Sequence, residues 1–272
     1  MQERTNDEIR DEVRAHYAGV AKAESKTGCG PSCCAPSRGA SGALGYSDAE
    51  MAAVPEGADL GLGCGNPQAI ASLREGERVL DLGSGAGFDA FLAARAVGPT
   101  GRVIGVDMTP EMVGKARENA KKAGRANVEI RLGEIEHLPV RDGEVDVVIS
   151  NCVVNLSPEK ESVFREAVRV LAPGGRLAIS DVVALADIPA ELRTTMALSA
   201  CVAGAATVPE VRRLLERAGF VDVEVEPSAG SRDFIAGWMP GSRAEDYVAS
   251  ASIRARKPGP SKKSCCGPEC CT

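Results

Sequence analysis

A long apolar run is missing from this sequence of 272 residues, and none approaches the roughly 18 residues that a membrane-spanning helix needs. The first residues, MQERTNDEIRDEVR, are charged and contain no apolar signal-peptide core. An excess of basic residues is also missing, because the net charge is −6 and Lys and Arg are dispersed among Asp and Glu. These absences argue against membrane and nucleic-acid partners, and we expect a cytoplasmic protein.

Histidine is scarce as well. The chain contains two, His16 and His137, and neither has a persuasive position for a general base. Chemistry on an oxygen or nitrogen nucleophile would call for such a base. We therefore assign neither histidine a catalytic role.

Cysteine, by contrast, is abundant, with ten residues. In a chain of this size in a reducing compartment, many cysteines favour soft-metal binding or redox chemistry over a disulfide framework. Two clusters, CGPSCC (29–34) and CCGPECC (265–271), are near-copies at opposite ends of the chain. They either capture a soft ion and transfer it, bind zinc or copper, or are dispensable. Three further cysteines, Cys64, Cys152 and Cys201, stand alone.

Apolar strands alternate with helical segments through the middle of the chain, which predicts an α/β fold with a doubly wound, mostly parallel sheet. The predicted strands are RVLDLG (78–83), RVIGVD (102–107), NVEIRLG (127–133), VDVVIS (145–150) and RLAISDVV (176–183). A closing strand pair is predicted at VDVEVEP and SRDFIAGWM, and a helical insert at 184–206.

Four segments follow from this pattern. They are an N-terminal helical and cysteine-loop segment (1–76), a Rossmann-like core (77–183), an insert that also completes the sheet (184–240), and a C-terminal segment with a Cys-rich tail (241–272).

A glycine-rich loop, VLDLGSGAGFDA (79–90), joins the first strand to a helix and is followed by an acidic residue, Asp107, at the end of the second strand. The loop reads DLGSGAG, with an aspartate before its glycines, and so differs from the GxGxxG/A loop of dinucleotide-binding proteins. This difference disfavours a nicotinamide enzyme. Residues 77–183 resemble the class I S-adenosylmethionine-dependent methyltransferases. The resemblance implies these cofactor-binding residues: Asp81, Gly83, Ser84, Gly85, Gly87, Asp107, Met108, Gly133, Glu134, Ile135 and Asn151.

The three single cysteines are expected to converge on this pocket. Cys152 directly follows the fourth strand, where ligands bind in open α/β sheets, and Cys201 lies in the insert that we expect to cover the pocket. Cys64 lies in GLGCGNP (61–67), whose glycines are expected to free it to swing over the pocket. Three thiols suit a soft trivalent ion, although a buried cysteine also serves as a small hydrophobic residue.

Together, GLGCGNP, SNCVVNLSPEK and CVAGA, with DLGSGAGFDA and GVDMTPEM, resemble the arsenite methyltransferases over most of residues 45–225. The resemblance implies that Cys64, Cys152 and Cys201 bind arsenic(III). It also implies that a further N-terminal cysteine, Cys29, Cys33 or Cys34, forms a disulfide during the cycle, and we favour Cys33 or Cys34.

The expected cofactor is then S-adenosylmethionine, with arsenite and methylarsenite as substrates, arsenic detoxification as the role, and no permanent metal. Thioredoxin or glutathione is the expected reductant, and the chain is expected to be a monomer. Two alternatives differ in class. One is a methyltransferase acting on carbon or oxygen of a small molecule, and the other is a metalloid-binding protein on a methyltransferase scaffold.

Overall fold

The computed structural model describes residues 4–23 and 40–260. An eight-stranded sheet organises them in the order β3-β2-β1-β4-β5-β8-β7, with the short β6 paired to β5. The strands are β1 Arg78–Leu82, β2 Arg102–Asp107, β3 Val128–Leu132, β4 Val145–Asn151, β5 Leu171–Ala184, β6 Ala206–Thr207, β7 Val221–Pro227 and β8 Val248–Arg256. Strands β1 to β5 pair in parallel, and β8 runs antiparallel between β5 and β7. The prediction of a doubly wound, mostly parallel sheet is confirmed.

Helices cover both faces of the sheet. They are α1 Asn6–Ala23, α2 Ala40–Ala43, α3 Asp48–Met51, α4 Pro67–Ala71, α5 Phe88–Ala96, α6 Pro110–Lys122, α7 Lys160–Val170, α8 Thr195–Ser199, α9 Val208–Ala218 and α10 Arg232–Trp238. Successive residues of β1 point to opposite faces, so Leu80 packs in the cluster with α7 and α9, whereas Val79 packs with α4 and α5. Both faces of the strand are therefore buried, as in other parallel sheets.

One predicted strand is wrong. SRDFIAGWM forms helix α10, because its apolar residues fall at helical spacing and the rings of Phe234 and Trp238, four residues apart, lie 5.4 Å apart. The sheet is instead closed by β8, VASASIRAR, which pairs with β5 along nine residues. Its alanines and serines give a weak strand signal, which explains why the sequence did not reveal it.

Two further expectations concern the insert and the cysteine clusters. The insert contains helix α8, in agreement with the prediction. The N-terminal cysteines Cys29, Cys33 and Cys34 and the tail cysteines lie outside the described residues. Within the described ranges, no helix is both long and apolar enough to cross a membrane.

Candidate active site

A cavity lies at the carboxyl ends of β1, β2 and β4, where open parallel sheets bind ligands. Several predicted cofactor residues line it: Asp81, Gly83, Ser84, Gly85, Asp107, Met108, Ile135 and Asn151. Helix α1 and the segment before α4 form the other wall. Three predicted residues, Gly87, Gly133 and Glu134, lie outside that lining.

The glycine loop after β1 is bound to the acidic residue that ends β2. Gly85 N–H donates to Asp107 Oδ2 at 3.0 Å, and Thr109 N–H donates to Asp107 Oδ1 at 2.8 Å. At Gly83, where φ is +65°, an added Cβ would lie 2.4 Å from a methyl carbon of Val153. Glycine is required there because the backbone is left-handed and another side chain already fills the space.

The cavity wall is acidic. Burial raises the pKa of Asp81 well above its usual range, with further increases from the charges of Asp89 and Asp107, and burial also raises the pKa of Asp107. Among the described residues, Asp81 Oδ2 and Ser84 Oγ are buried without a hydrogen-bond partner. A buried carboxylate oxygen in this state costs free energy unless a ligand supplies a donor. The wall therefore fits a cationic ligand with hydrogen-bond donors, such as the expected sulfonium cofactor.

The three predicted residues outside the lining have other contacts. Gly87 is the N-cap residue of α5 and packs against Phe91, and an added Cβ at Gly133 would lie 2.7 Å from Pro139 Cδ. Glu134 pairs with Arg14 at 3.2 Å. In this structure these residues support the loops of the cavity rather than facing it.

The structure brings the three single cysteines together. Cys64 and Cys152 form a disulfide, with their Cα atoms 5.8 Å apart, and the free thiol of Cys201 donates to Cys152 O at 2.9 Å. Of these three, Cys152 lines the cavity and the other two pack behind it. The disulfide occupies two of the predicted arsenic ligands, so the structure shows this part of the site in its oxidised form.

Two of these cysteines have strained backbones. Cys152 has φ +55° and Cys201 has φ +59°, a left-handed conformation that non-glycine residues rarely adopt. A hydrogen bond keeps the backbone of Cys152 in this conformation: its N–H donates to Ser180 O of β5 at 2.8 Å. Strain of this kind concentrates at functional sites.

A buried carboxylate, Asp181, lies beside the sulfurs of Cys64 and Cys152, with its oxygen within 4.8 Å of each. Burial raises its pKa to about 6, although it accepts hydrogen bonds from Val182 and Asn155. Burial also raises the pKa of Cys201 well above its usual range, and the charge of Asp181 adds to this effect. Cys201 is therefore a thiol, not a thiolate, at neutral pH in this state.

The glycines around Cys64 fix the loop and do not free it, which corrects the sequence-based expectation. An added Cβ at Gly63 would lie 2.7 Å from Asn151 Nδ2, and one at Gly65 would lie 2.9 Å from Ser180 Cβ. Cys64 itself is 1% exposed. The glycines permit the backbone to press against β4 and β5, which holds Cys64 next to Cys152.

Several cavity residues were not predicted. Tyr46 and Asp89 form a buried hydrogen bond of 2.7 Å, and Arg10, Tyr17 and Glu136 also line the cavity. Asp89 directly follows the glycine loop, so its position gave a usable signal. Tyr46 and Arg10 come from segments far from the glycine motif in sequence, and no local pattern marks them.

Comparisons with known proteins agree with this fold. A family model described as "Methyltransferase domain" matches residues 73–219. The arsenite methyltransferase of Halobacterium salinarum is 53% identical over 268 residues, which are 94% of this chain and 68% of the relative. The human arsenite methyltransferase is 40% identical over 152 residues, 52% of this chain and 40% of the relative.

A solved structure is similar as well. CrArsM, an arsenic(III) S-adenosylmethionine methyltransferase from Chlamydomonas reinhardtii, aligns with a TM-score of 0.59 and 34% identity. The alignment covers 84% of this chain and 76% of that one.

Proposed function

The chain belongs to the arsenite methyltransferase family of S-adenosylmethionine-dependent enzymes, and we propose from this premise that it methylates arsenite held by Cys64, Cys152 and Cys201. The observation that carries the proposal is the meeting of these three cysteines, of which Cys152 lines an acidic cavity built on the glycine loop. Formation of methylated arsenicals, and with it arsenic detoxification, is the expected role.

The residues of the acidic wall would hold the cofactor. Asp81 Oδ2 and Ser84 Oγ lack partners among the described residues and offer it hydrogen-bonding positions, and Asp107 lies at the end of β2 in the position where this class of fold binds ribose. When bound, S-adenosylmethionine supplies a sulfonium methyl group as the electrophile.

Arsenite binding requires the disulfide to be reduced first. Each cysteine then replaces one hydroxide on arsenic: a sulfur–arsenic bond forms, an arsenic–oxygen bond breaks, and the thiol proton leaves with the hydroxide as water. This exchange needs no strong base, which agrees with the raised pKa of Cys201. Sulfur is the ligand that a soft trivalent ion prefers, and arsenic(III) held by sulfur keeps a lone pair.

The cysteines also supply electrons. Methylation leaves arsenic formally pentavalent. When two arsenic-bound sulfurs join as a disulfide, their two arsenic–sulfur bonds break and arsenic gains two electrons, which returns it to the trivalent state. We propose that Cys64 and Cys152 are such a pair, because the structure holds them joined. A cellular dithiol or glutathione then reopens the bond and is itself oxidised. Cys33 or Cys34 stays a candidate partner in this exchange.

Replacing Cys152 with Ser tests the proposal. Serine keeps the size of the side chain but removes the soft ligand, so arsenite methylation should fall to background while S-adenosylmethionine affinity stays within about twofold. Intact arsenite methylation in this variant would contradict the ligand assignment. Incubation of the wild-type chain with cofactor, arsenite and a dithiol should yield methylated arsenicals. Arsenite binding without any methylated product would instead identify a metalloid-binding protein.

The finer features are also proposals. Thioredoxin or glutathione as reductant is supported by the disulfide, and rates measured with each would identify it. We propose a cytoplasmic monomer without a permanent metal. Sedimentation of the purified chain tests whether it is a monomer, and metal analysis tests whether it holds a permanent metal.

A further inference from the structure

We propose that Asn151 positions Cys64 in the arsenic site and does not bind the cofactor. Cofactor binding is the role that the sequence resemblance implies for this residue. The inference rests on the proposed function, because it assigns Asn151 a task in the same reaction. Asn151 is the last residue of β4 and directly precedes Cys152. Its side chain therefore links the strand end that carries one cysteine to the loop that carries the other.

The side chain of Asn151 is bound to the Cys64 loop at several points. Its Oδ1 accepts a hydrogen bond from Cys64 N–H at 3.0 Å, and Cys64 Sγ lies 3.8 Å from the same oxygen. Its Nδ2 donates to Gly65 O at 2.9 Å. An amide side chain that bonds both the N–H of one residue and the C=O of the next fixes the loop in one register.

The other contacts of Nδ2 are also inside the protein. The group lies 3.0 Å from Tyr46 Oη and 3.2 Å from Asp89 Oδ2, and Tyr46 Oη donates to Asp89 Oδ1 at 2.7 Å. Two amide hydrogens thus meet three acceptors on the protein. No donor of Asn151 is left over within the described residues, although the residue borders the cavity.

The strand that carries Asn151 is paired on both sides within the sheet, which makes it suitable as an anchor. Asn151 pairs with Ser180 in the middle of the sheet, and Ser180 O accepts the N–H of Cys152 at 2.8 Å. The same Ser180 packs against Gly65, and Ser250 Oγ donates to Cys64 O at 2.6 Å. Among these residues, Asn151 is the one whose side chain bonds the loop at two backbone groups, Cys64 N–H and Gly65 O.

The test compares Asn151→Ala, Asn151→Asp and a control, Asn127→Ala. Asn127 is also a structural asparagine, whose Nδ2 donates to Ala94 O and Gly98 O at the opposite end of β2 and β3. The Asp variant keeps an acceptor for Cys64 N–H but loses both donors. Loss of a buried hydrogen bond corresponds to about 10-fold in an equilibrium constant.

The first measurement is the redox equilibrium of the cysteine pair without arsenic or cofactor. The protein disulfide and two glutathione molecules give the protein dithiol and glutathione disulfide, and mass spectrometry quantifies the linked Cys64–Cys152 peptides. The Ala variant should shift this equilibrium toward the dithiol by about 10-fold, and the Asp variant at least as far, because its second oxygen would face two acceptors, Gly65 O and Asp89 Oδ2. The Asn127→Ala variant should leave it unchanged.

The second measurement is steady-state kinetics of the reduced enzyme. Asn151→Ala should raise KM for arsenite by about 10-fold while KM for S-adenosylmethionine stays within about twofold. A redox equilibrium that is unchanged in both variants, or a loss confined to cofactor affinity, would overturn the proposal. If Cys64→Ser retains arsenite methylation, the proposed ligand set fails, whereas the redox measurement still decides the role of Asn151.

Discussion

Arg10 Nε lies 3.4 Å from Glu136 Oε1 and joins the N-terminal helix α1 to the loop that follows β3. Both side chains are largely buried, at 10% and 3% exposure, and both line the cavity. Glu136 also accepts a hydrogen bond from Ser157 Oγ at 2.5 Å, and Arg10 pairs with Glu159 as well. This ion pair therefore holds α1 in place as a wall of the proposed cofactor site.

Replacing Arg10 with Met should destabilise the fold by about 3–5 kcal/mol, because it leaves the buried Glu136 without its cation. S-adenosylmethionine affinity should fall with it, since α1 loses its anchor on the cavity. Chemical denaturation and calorimetric titration measure the two effects. Lys122→Met is the matched control. Lys122 and its partner Glu118 are both exposed, Glu118 at 64%, so the free energy of unfolding should change by no more than about 1 kcal/mol. Equal effects of the two variants would contradict the anchoring role.

Replacing Asp81 with Asn should weaken S-adenosylmethionine binding by about 10-fold to 100-fold, because the proposed contact to a cationic ligand becomes neutral. Stability of the cofactor-free protein at neutral pH should not fall, since Asn has no charged form to bury, whereas burial and the neighbouring carboxylates disfavour the charged form of Asp81. Titration calorimetry and denaturation separate these effects. Asp146→Asn, which removes the partner of Arg78, serves as the control and should leave cofactor affinity unchanged.

Replacing Gly65 with Ala should destabilise the protein by about 1–3 kcal/mol, because the new Cβ would lie 2.9 Å from Ser180 Cβ in a packed region. Arsenite methylation should fall further than stability alone explains, since the strain acts on the Cys64 loop. Gly114→Ala in α6 has open space within 4 Å among the described atoms and should stabilise the helix by up to about 1 kcal/mol. A Gly65 variant as stable and as active as wild type would show that the loop can move.

Replacing Asp89 with Asn should change how stability depends on pH. Burial raises the pKa of Asp89 to about 6 from its ordinary value of 3.8, so the folded state binds more protons than the unfolded state between these values. The stability that this group contributes is present below pH 3.8 and is lost as pH rises through about 6. The stability of wild type relative to Asp89→Asn should therefore fall by about 2 kcal/mol from pH 4 to pH 7. Denaturation of both proteins across this range measures the difference, and parallel curves would contradict the shift.

The sequence predicted the parts of the fold that local patterns encode. The strand–glycine loop–helix unit around Gly83 and Gly85 was predicted because backbone freedom, an apolar strand and an acidic partner occur at fixed spacing. Strand β8 was missed because its small residues carry little β preference, although pairing with β5 and β7 stabilises it.

The three single cysteines and part of the cavity lining could be predicted as residues, but their contacts could not. Topology placed Cys152 at the cavity, and the structure agrees. The hydrogen bonds of Asn151 to the Cys64 loop depend on a fold that brings residues 87 positions apart into contact, and no periodic pattern reports such a distance. For the same reason the glycines beside Cys64 suggested mobility, whereas they permit close packing.

The disulfide also spans the chain in a particular way. It joins residues separated by 88 positions, and the segment between them contains β1, β2, β3 and β4, the half of the sheet that carries the glycine loop. A cross-link closing a loop of that length restricts the unfolded chain by about 4–5 kcal/mol in the chain-entropy model. Reduction of this pair, which the proposed arsenite binding requires, would therefore also lower the thermodynamic stability of the protein, and the oxidised form is the more stable of the two.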